Sequence, residues 1–205
     1  MLGAGWQTAS DRISYSAFSV HHSLFEEPLL TKAVYPGTFD PITNGQIDIA
    51  LRTARLFSHV VVGVYARPAA NILFSAEERL TMVRETFNEI PNITVASYDG
   101  LTVDFARSVG ALAIVRGLRV VSDFEHEFQM ALMSRKLAPD IDFVCLMTSV
   151  EHTYLSSSIV KEVAMLGGNI EQFVPCHVAE ALRARLENLG ELSAQKVDMI
   201  SLKNG

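Results

Sequence analysis

Three short stretches of this chain concentrate groups that grip phosphate. The first is Pro36-Gly37-Thr38-Phe39-Asp40-Pro41-Ile42-Thr43-Asn44-Gly45-Gln46. Gly37 permits a tight turn with close backbone approach to a ligand, and Thr38 offers a hydroxyl. Asn44-Gly45-Gln46 open a helix whose free N–H groups and dipole favour an anion. The second stretch is Val115-Arg116-Gly117-Leu118-Arg119. Arginine stays charged and holds phosphate through two parallel N–H bonds. The third is Tyr154-Leu155-Ser156-Ser157-Ser158, with Lys161 one turn further on. Three hydroxyls beside a helix N-terminus can cradle a phosphate. Each stretch alone has a plainer reading: a capped strand-to-helix turn, arginines paired with Asp123 or Glu125, and simple N-capping. Together they suit a site that binds phosphate groups.

The elements that must carry these stretches alternate between strand and helix. Residues 32–35 read as a short apolar strand ending at Pro36-Gly37. Ile47, Ala50, Leu51, Ala54 and Phe57 recur at helical spacing. Residues 59–65 are β-branched with little alternation, as in a strand covered on both faces. Ser75 and Glu78 form a capping box opening a helix with Leu80, Val83, Phe87 and Ile90 on one face. Residues 93–97, 112–116 and 142–147 read as further strands, and Cys145 reads as a core residue. Helices are expected around 102–109, 123–137, from Ser156, and over Val178, Leu182 and Leu186. The helix at 123–137 should turn Phe124, Phe128, Ala131 and Leu132 inward. This order predicts a single-domain, Rossmann-like α/β fold: a five-stranded parallel sheet with helices on both faces. The three phosphate-gripping stretches then fall at the carboxyl ends of strands one, four and five. Open sheets of this kind bind ligands there. Neither GxGxxG nor GxxxxGK[ST] is present, so the common dinucleotide and P-loop readings lack support.

The 205 residues are 49% hydrophobic and 20% charged, which excludes a disordered or fibrous chain. A net charge of −6 argues against nucleic acid or an anionic membrane as partner. No apolar run is long enough to span a bilayer. Two distant cysteines, with no CxxC pair, suit a reducing cytoplasm. The six histidines form no HExxH pattern, and no metal ligand is expected among them. Residues 1–31 are Ser-rich and lack a sustained period, and read as a flexible extension. Residues 32–186 read as the domain and 187–205 as a C-terminal tail.

The three stretches, together with Asp123-Phe124-Glu125 and Val160-Lys161-Glu162, resemble bacterial phosphopantetheine adenylyltransferases, nucleotidyltransferases marked by a T/H-x-G-H motif. The similarity runs from about Lys32 to about Leu186. It implies transfer of AMP from ATP to 4′-phosphopantetheine, giving dephospho-CoA and pyrophosphate with Mg²⁺ assisting, in coenzyme A synthesis. It also implies a homohexamer and feedback binding of CoA. Position by position, Thr38 and Phe39 would lie in the shared nucleotide and acceptor-phosphate site. Arg116 would bind the acceptor phosphate and Thr102 the pantetheine arm. Gly117, Leu118, Arg119 and Glu127 would line the ATP side. His152, Thr153, Tyr154, Leu155, Ser156, Ser157 and Ser158 would hold the triphosphate and adenine.

Three positions depart from the family pattern. Gln46 stands where the motif has the His that stabilises the α-phosphate in the transition state. Ala70 stands where a phosphate-meeting Lys is usual, and Ser134 where an Asn contacting the arm is common. Gln donates a hydrogen bond but carries no charge, and charge-assisted bonds are roughly twice as strong as neutral ones. Losing about 1.5–3 kcal/mol of transition-state stabilisation would slow the reaction about 10- to 150-fold. The alternative is a catalytically impaired homologue that binds nucleotide or CoA in a regulatory role.

Overall fold

A computed structural model describes residues 31–68 and 72–203, with side chains of residue 122 and of 191–203 left out. Residues 1–30 and Ala70, both subjects of the expectations above, lie outside the described residues. Chain order is β1 (Lys32–Gly37), α1 (Asn44–Leu56), β2 (His59–Tyr65), α2 (Ala76–Phe87), β3 (Ile93–Tyr98) and α3 (Thr102–Ser108). Then come β4 (Ala113–Leu118), α4 (Val121–Leu137), β5 (Asp142–Met147), α5 (Ser157–Met165) and α6 (Cys176–Lys203). A single 3₁₀ turn, Val150–His152, separates β5 from α5.

The five strands are all parallel and lie in the order β3-β2-β1-β4-β5. The central strands are β-branched because both of their faces are covered: Val60, Val62 and Val64 face one layer, Val34, Val61 and Ile114 the other. The first layer is the larger. Ile49 and Ala50 of α1, Met82, Val83 and Phe87 of α2, Val160 of α5, and Val178, Ala179 and Leu182 of α6 fill it. Val103 and Ala106 of α3 close the second, with Ala138 and Ile141. The expected α/β architecture is therefore present. Local signals set several boundaries. Ser75 and Glu78 form the reciprocal capping box at α2, and Gly110 and Gly167 take positive φ just past α3 and α5.

Two core expectations are corrected. Phe124 and Phe128 are 53% and 52% exposed, and Leu132 is exposed as well. Among the described side chains of that helix only Glu127 is deeply buried. Cys145 is exposed, because β5 is an edge strand covered by little of the chain itself. Ile90 lies beyond the end of α2, although it still packs against the core.

Candidate functional site

The strand order makes β1 and β4 neighbours although the chain winds outward from each in opposite directions. That is the topological switch point, where a crevice must open. The two strands pair only at Ala33↔Ala113 and Val34↔Ile114. β1 and β2 by contrast pair along their whole length, from Lys32↔His59 to Gly37↔Val64. Past Val34 and Ile114 the strand tips part, and a cleft of about 1220 Å³ opens between them. The Arg116 guanidinium bridges the gap, its Nη1 donating to the Pro36 carbonyl at 2.9 Å.

The turn after β1 is folded onto itself. Phe39 sits in the left-handed region at φ 52°, a conformation that costs a bulky residue about 1–3 kcal/mol. Its ring lies over Gly37, where an added Cβ would come within 2.8 Å of it. Arg79 of α2, 1% exposed, holds this turn in place. Its Nη1 donates to Thr38 O at 2.6 Å and Tyr65 O at 2.8 Å, and its Nε to Phe74 O at 3.1 Å. Burial pulls the Arg79 pKa down, and the nearby Asp40 charge partly offsets this. Asp40, 3% exposed, accepts the backbone N–H groups of Leu73 and Phe74 and the Lys161 ammonium at 2.6 Å.

Gln46 has a structural task. Its Oε1 accepts the Thr43 N–H at 3.0 Å while Thr43 Oγ1 accepts the Gln46 N–H, a reciprocal cap on α1. With Oε1 held, Nε2 is the atom left to serve the cleft, which Gln46 lines. Gly45 beside it leaves room for His152, whose Cβ would be only 3.2 Å from a Cβ at position 45.

Each cation at the tip of β4 has a carboxylate of its own. Arg116 Nε and Nη2 reach both oxygens of Glu127 at 2.9 and 2.7 Å. Glu127 is 6% exposed. Burial opposes the Arg116 charge, but the Glu127 carboxylate outweighs it and raises the Arg116 pKa. With Pro36 O, three of the five guanidinium N–H groups are engaged. Arg119 grips both oxygens of Asp123 and reaches Leu155 O at 3.3 Å. Burial would raise the Asp123 pKa, but the bonds from Arg119 outweigh it and lower it.

After β5, Ser156 Oγ caps α5 by accepting the Ile159 N–H, and Ser157 Oγ donates to Pro41 O at 2.8 Å. Among the described residues the amides of Ser157 and Ser158 have no such partner. They stand at the positive end of the α5 dipole, on the cleft wall.

Of the expected site residues, Thr38, Phe39, Gln46, Arg116, Gly117, Arg119, Glu127, His152, Leu155, Ser156, Ser157 and Ser158 line one cleft. Leu118, Thr153 and Tyr154 do not line it. Leu118 is buried, Thr153 bonds Ser149 O, and Tyr154 is exposed. Among the described residues Thr102 does not line the cleft, but it bonds the hydroxyl of Tyr98, which does, at 3.0 Å. The Tyr98 ring stacks on Phe105 at 4.4 Å and, with Tyr65, forms an aromatic wall there. Sequence reasoning missed Asp40 and Arg79 as organisers of the turn. Only their neighbourhood of Thr38 and the Ser75 cap hinted at them. Among the described residues no cluster of three or more His, Cys, Asp or Glu could hold a metal, and no helix is long and apolar enough to cross a membrane.

Comparison with known proteins identifies the family of the chain. Residues 34–163 match the family model described as cytidylyltransferase-like. A phosphopantetheine adenylyltransferase of Thermomicrobium roseum is 56% identical over 161 residues, covering 77% of this chain and 96% of the relative. One from Moorella thermoacetica is 56% identical over 153 residues, covering 75% and 96%. One from a Roseiflexus species is 52% identical over 154 residues, covering 75% and 96%. Among solved structures, a bifunctional NMN adenylyltransferase/ADP ribose pyrophosphatase from Francisella tularensis shares the fold, with a TM-score of 0.60 at 13% identity. The match covers 84% of this chain and 56% of that one. On the extent and identity of these matches, the chain belongs to the phosphopantetheine adenylyltransferase family of cytidylyltransferase-like nucleotidyltransferases.

Proposed function

We propose that this protein is a phosphopantetheine adenylyltransferase, joining the AMP of ATP to the phosphate of 4′-phosphopantetheine and releasing pyrophosphate. The observation that carries the reading is the convergence of Thr38, Arg116, Arg119 and Ser157, from three distant stretches, on one cleft. The attacking phosphate is already an anion, so no general base is required. Catalysis reduces to aligning two phosphates and stabilising charge on the α-phosphoryl oxygens. In this reading the two remaining N–H groups of Arg116 and the Thr38 hydroxyl take the acceptor phosphate. The α5 N-terminus, Ser158 and His152 hold the triphosphate, Arg119 supports the nucleotide, and Gln46 Nε2 donates to the α-phosphate.

The charges on the cleft wall are nearly balanced: Arg116 with Glu127, Arg119 with Asp123, Lys161 with Asp40. A polyphosphate therefore needs charge from elsewhere. With their carboxylates committed, the residues fit a Mg²⁺ ion carried in on the triphosphate rather than one caged by the protein. Such an ion supplies charge neutralisation at the phosphoryl oxygens. The protein would act in the cytoplasm, and CoA, built from the same two halves, would compete for the cleft as a feedback ligand.

Pyrophosphate release from ATP, Mg²⁺ and phosphopantetheine tests the reading. ATP binding by clearly folded protein without turnover would reject it. That outcome would favour the alternative, a homologue that binds nucleotide or CoA in a regulatory role. The commitment of Gln46 Oε1 to the helix cap is the observation on its side. Replacing this residue separates the two jobs. Gln46→His should raise kcat about 10- to 150-fold with little change in ATP affinity, because the added charge acts in the transition state. It should also lower stability by about 0.5–1.5 kcal/mol, since Thr43 N–H loses its acceptor. Equal turnover by both proteins would show that position 46 takes no part in the chemistry.

The face of α4 calls for a partner. Val121, Phe124, Phe128, Leu132, Met133 and Leu137 are all exposed, and the Phe124 and Phe128 rings stack at 5.8 Å. Contiguous exposed apolar surface of this kind marks an interaction site. We assign it to a second copy of the chain within a homohexamer. Light scattering should give a mass several times that of one chain, and Phe128→Glu should reduce it.

A further inference from the structure

We propose that Asp48 is a positioning residue for the nucleotide, acting by pinning the β5–α5 loop to α1. The proposal rests on the reading above, in which that loop holds the triphosphate. The loop has no regular structure beyond one 3₁₀ turn, yet it must present His152 and the α5 N-terminus in a fixed place. What fixes it begins at Asp48. The Asp48 carboxylate accepts Ser149 Oγ at 2.7 Å. The same oxygen accepts Arg52 Nη1 at 3.2 Å, and that nitrogen also donates to Met147 O at 2.6 Å. Two side chains of α1, Asp48 and Arg52 one turn apart, thus hold both ends of the step out of β5.

Ser149 is the origin of everything that follows. Its carbonyl accepts the His152 N–H at 2.9 Å and Thr153 Oγ1 at 3.2 Å. The His152 carbonyl accepts the Leu155 N–H at 3.0 Å, and the Leu155 carbonyl accepts Arg119 Nη1. A displacement at Ser149 is therefore handed on to His152, Leu155 and Arg119.

Helical geometry makes the pin a matched pair. Gly45 and Asp48 are three apart on α1 and share a face. Ser149 and His152 are three apart in a 3₁₀ turn, where such side chains eclipse. Gly45 packs under His152 while Asp48 bonds Ser149, so two rows meet in register. Gln46 lies on the same helix turn. The pin thus sets the distance between the residue proposed to meet the α-phosphate and the loop proposed to hold the triphosphate. The acceptor side, at Arg116 and the tip of β1, is outside this chain of contacts.

Steady-state kinetics on the full chain, with ATP and phosphopantetheine varied separately, test the assignment. Asp48→Ala should raise KM for ATP about ten-fold, with KM for phosphopantetheine within about two-fold of the parent. Ser149→Ala should do the same, and the double variant should be no worse than either alone. Asp48→Asn, which keeps an acceptor for the Ser149 hydroxyl, should regain most of the loss. A rise in both KM values together, strictly additive single effects, or failure of Asn to rescue would each overturn the proposal. If the parent protein binds ATP but does not turn over, the proposed activity falls while the pin is still read. In that case Asp48→Ala should weaken ATP binding about ten-fold by calorimetry, and unchanged binding would overturn it. A parent that binds no ATP would overturn both.

Discussion

Arg79→Met should lower the melting temperature by about 6–20 °C. The side chain is a cation with 1% exposure and no bonded carboxylate. It donates to the carbonyls of Thr38, Tyr65 and Phe74, with Ala66 more distant at 3.4 Å. Each orphaned buried acceptor costs about 1–3 kcal/mol. Partial relaxation and entry of water bring the sum to about 3–5 kcal/mol, as for other broken buried charge networks. A chain of this length shifts by about 2–4 °C per kcal/mol. Lysine is no substitute, since one ammonium cannot copy a planar fork. Arg79→Lys should therefore stay well below the parent. Thermal melts followed by circular dichroism measure both. A shift under about 3 °C for Arg79→Met would mean that these carbonyls find other partners and that the turn at Phe39 is held by something else.

Arg116 should bear on activity as Arg79 bears on stability. Arg116→Met should reduce kcat/KM for phosphopantetheine at least about 100- to 1000-fold, the range found when one preorganised charge-stabilising donor is removed. The raw number would mislead, because the change also strands the buried Glu127 carboxylate and frees the Pro36 carbonyl. A double variant, Arg116→Met with Glu127→Gln, removes the stranded charge. It should regain most of the lost stability and none of the turnover. Recovery of turnover in the double variant would make Arg116 a counterion for Glu127 and nothing more.

The winding of this chain is legible in its residues for a physical reason. Strands buried on both faces must be β-branched, and helix caps are satisfied within three residues, so both signals are local. Sheet order is not local. The apolar run at Cys145 reads the same in a central strand as in the edge strand it proves to be. Phe124, Phe128 and Leu132 likewise show that α4 has an apolar face, and nothing about what covers it. The phosphate-gripping residues could be found because strand ends in such sheets are where ligands sit, and arginine and serine clusters there stand out. Arg79 was hidden, since Glu77-Glu78-Arg79 looks like any solvated turn of helix. Its burial is decided by carbonyls that three other segments bring to it. Gln46 is a different lesson. Thr43-x-x-Gln46 has the same capping spacing as Ser75-x-x-Glu78, so one side chain carries two signals, a helix cap and a position in a catalytic motif.

The short seam between β1 and β4 has a mechanical consequence. With only Ala33↔Ala113 and Val34↔Ile114 in register, the sheet is two ribbons joined near one end, like a clothes-peg. Arg116 spans the open end through a single bond to Pro36. A ligand lodged between the tips touches both ribbons at once and so splints the jaw. Part of what holds this protein rigid would then arrive with its cargo and depart with its product.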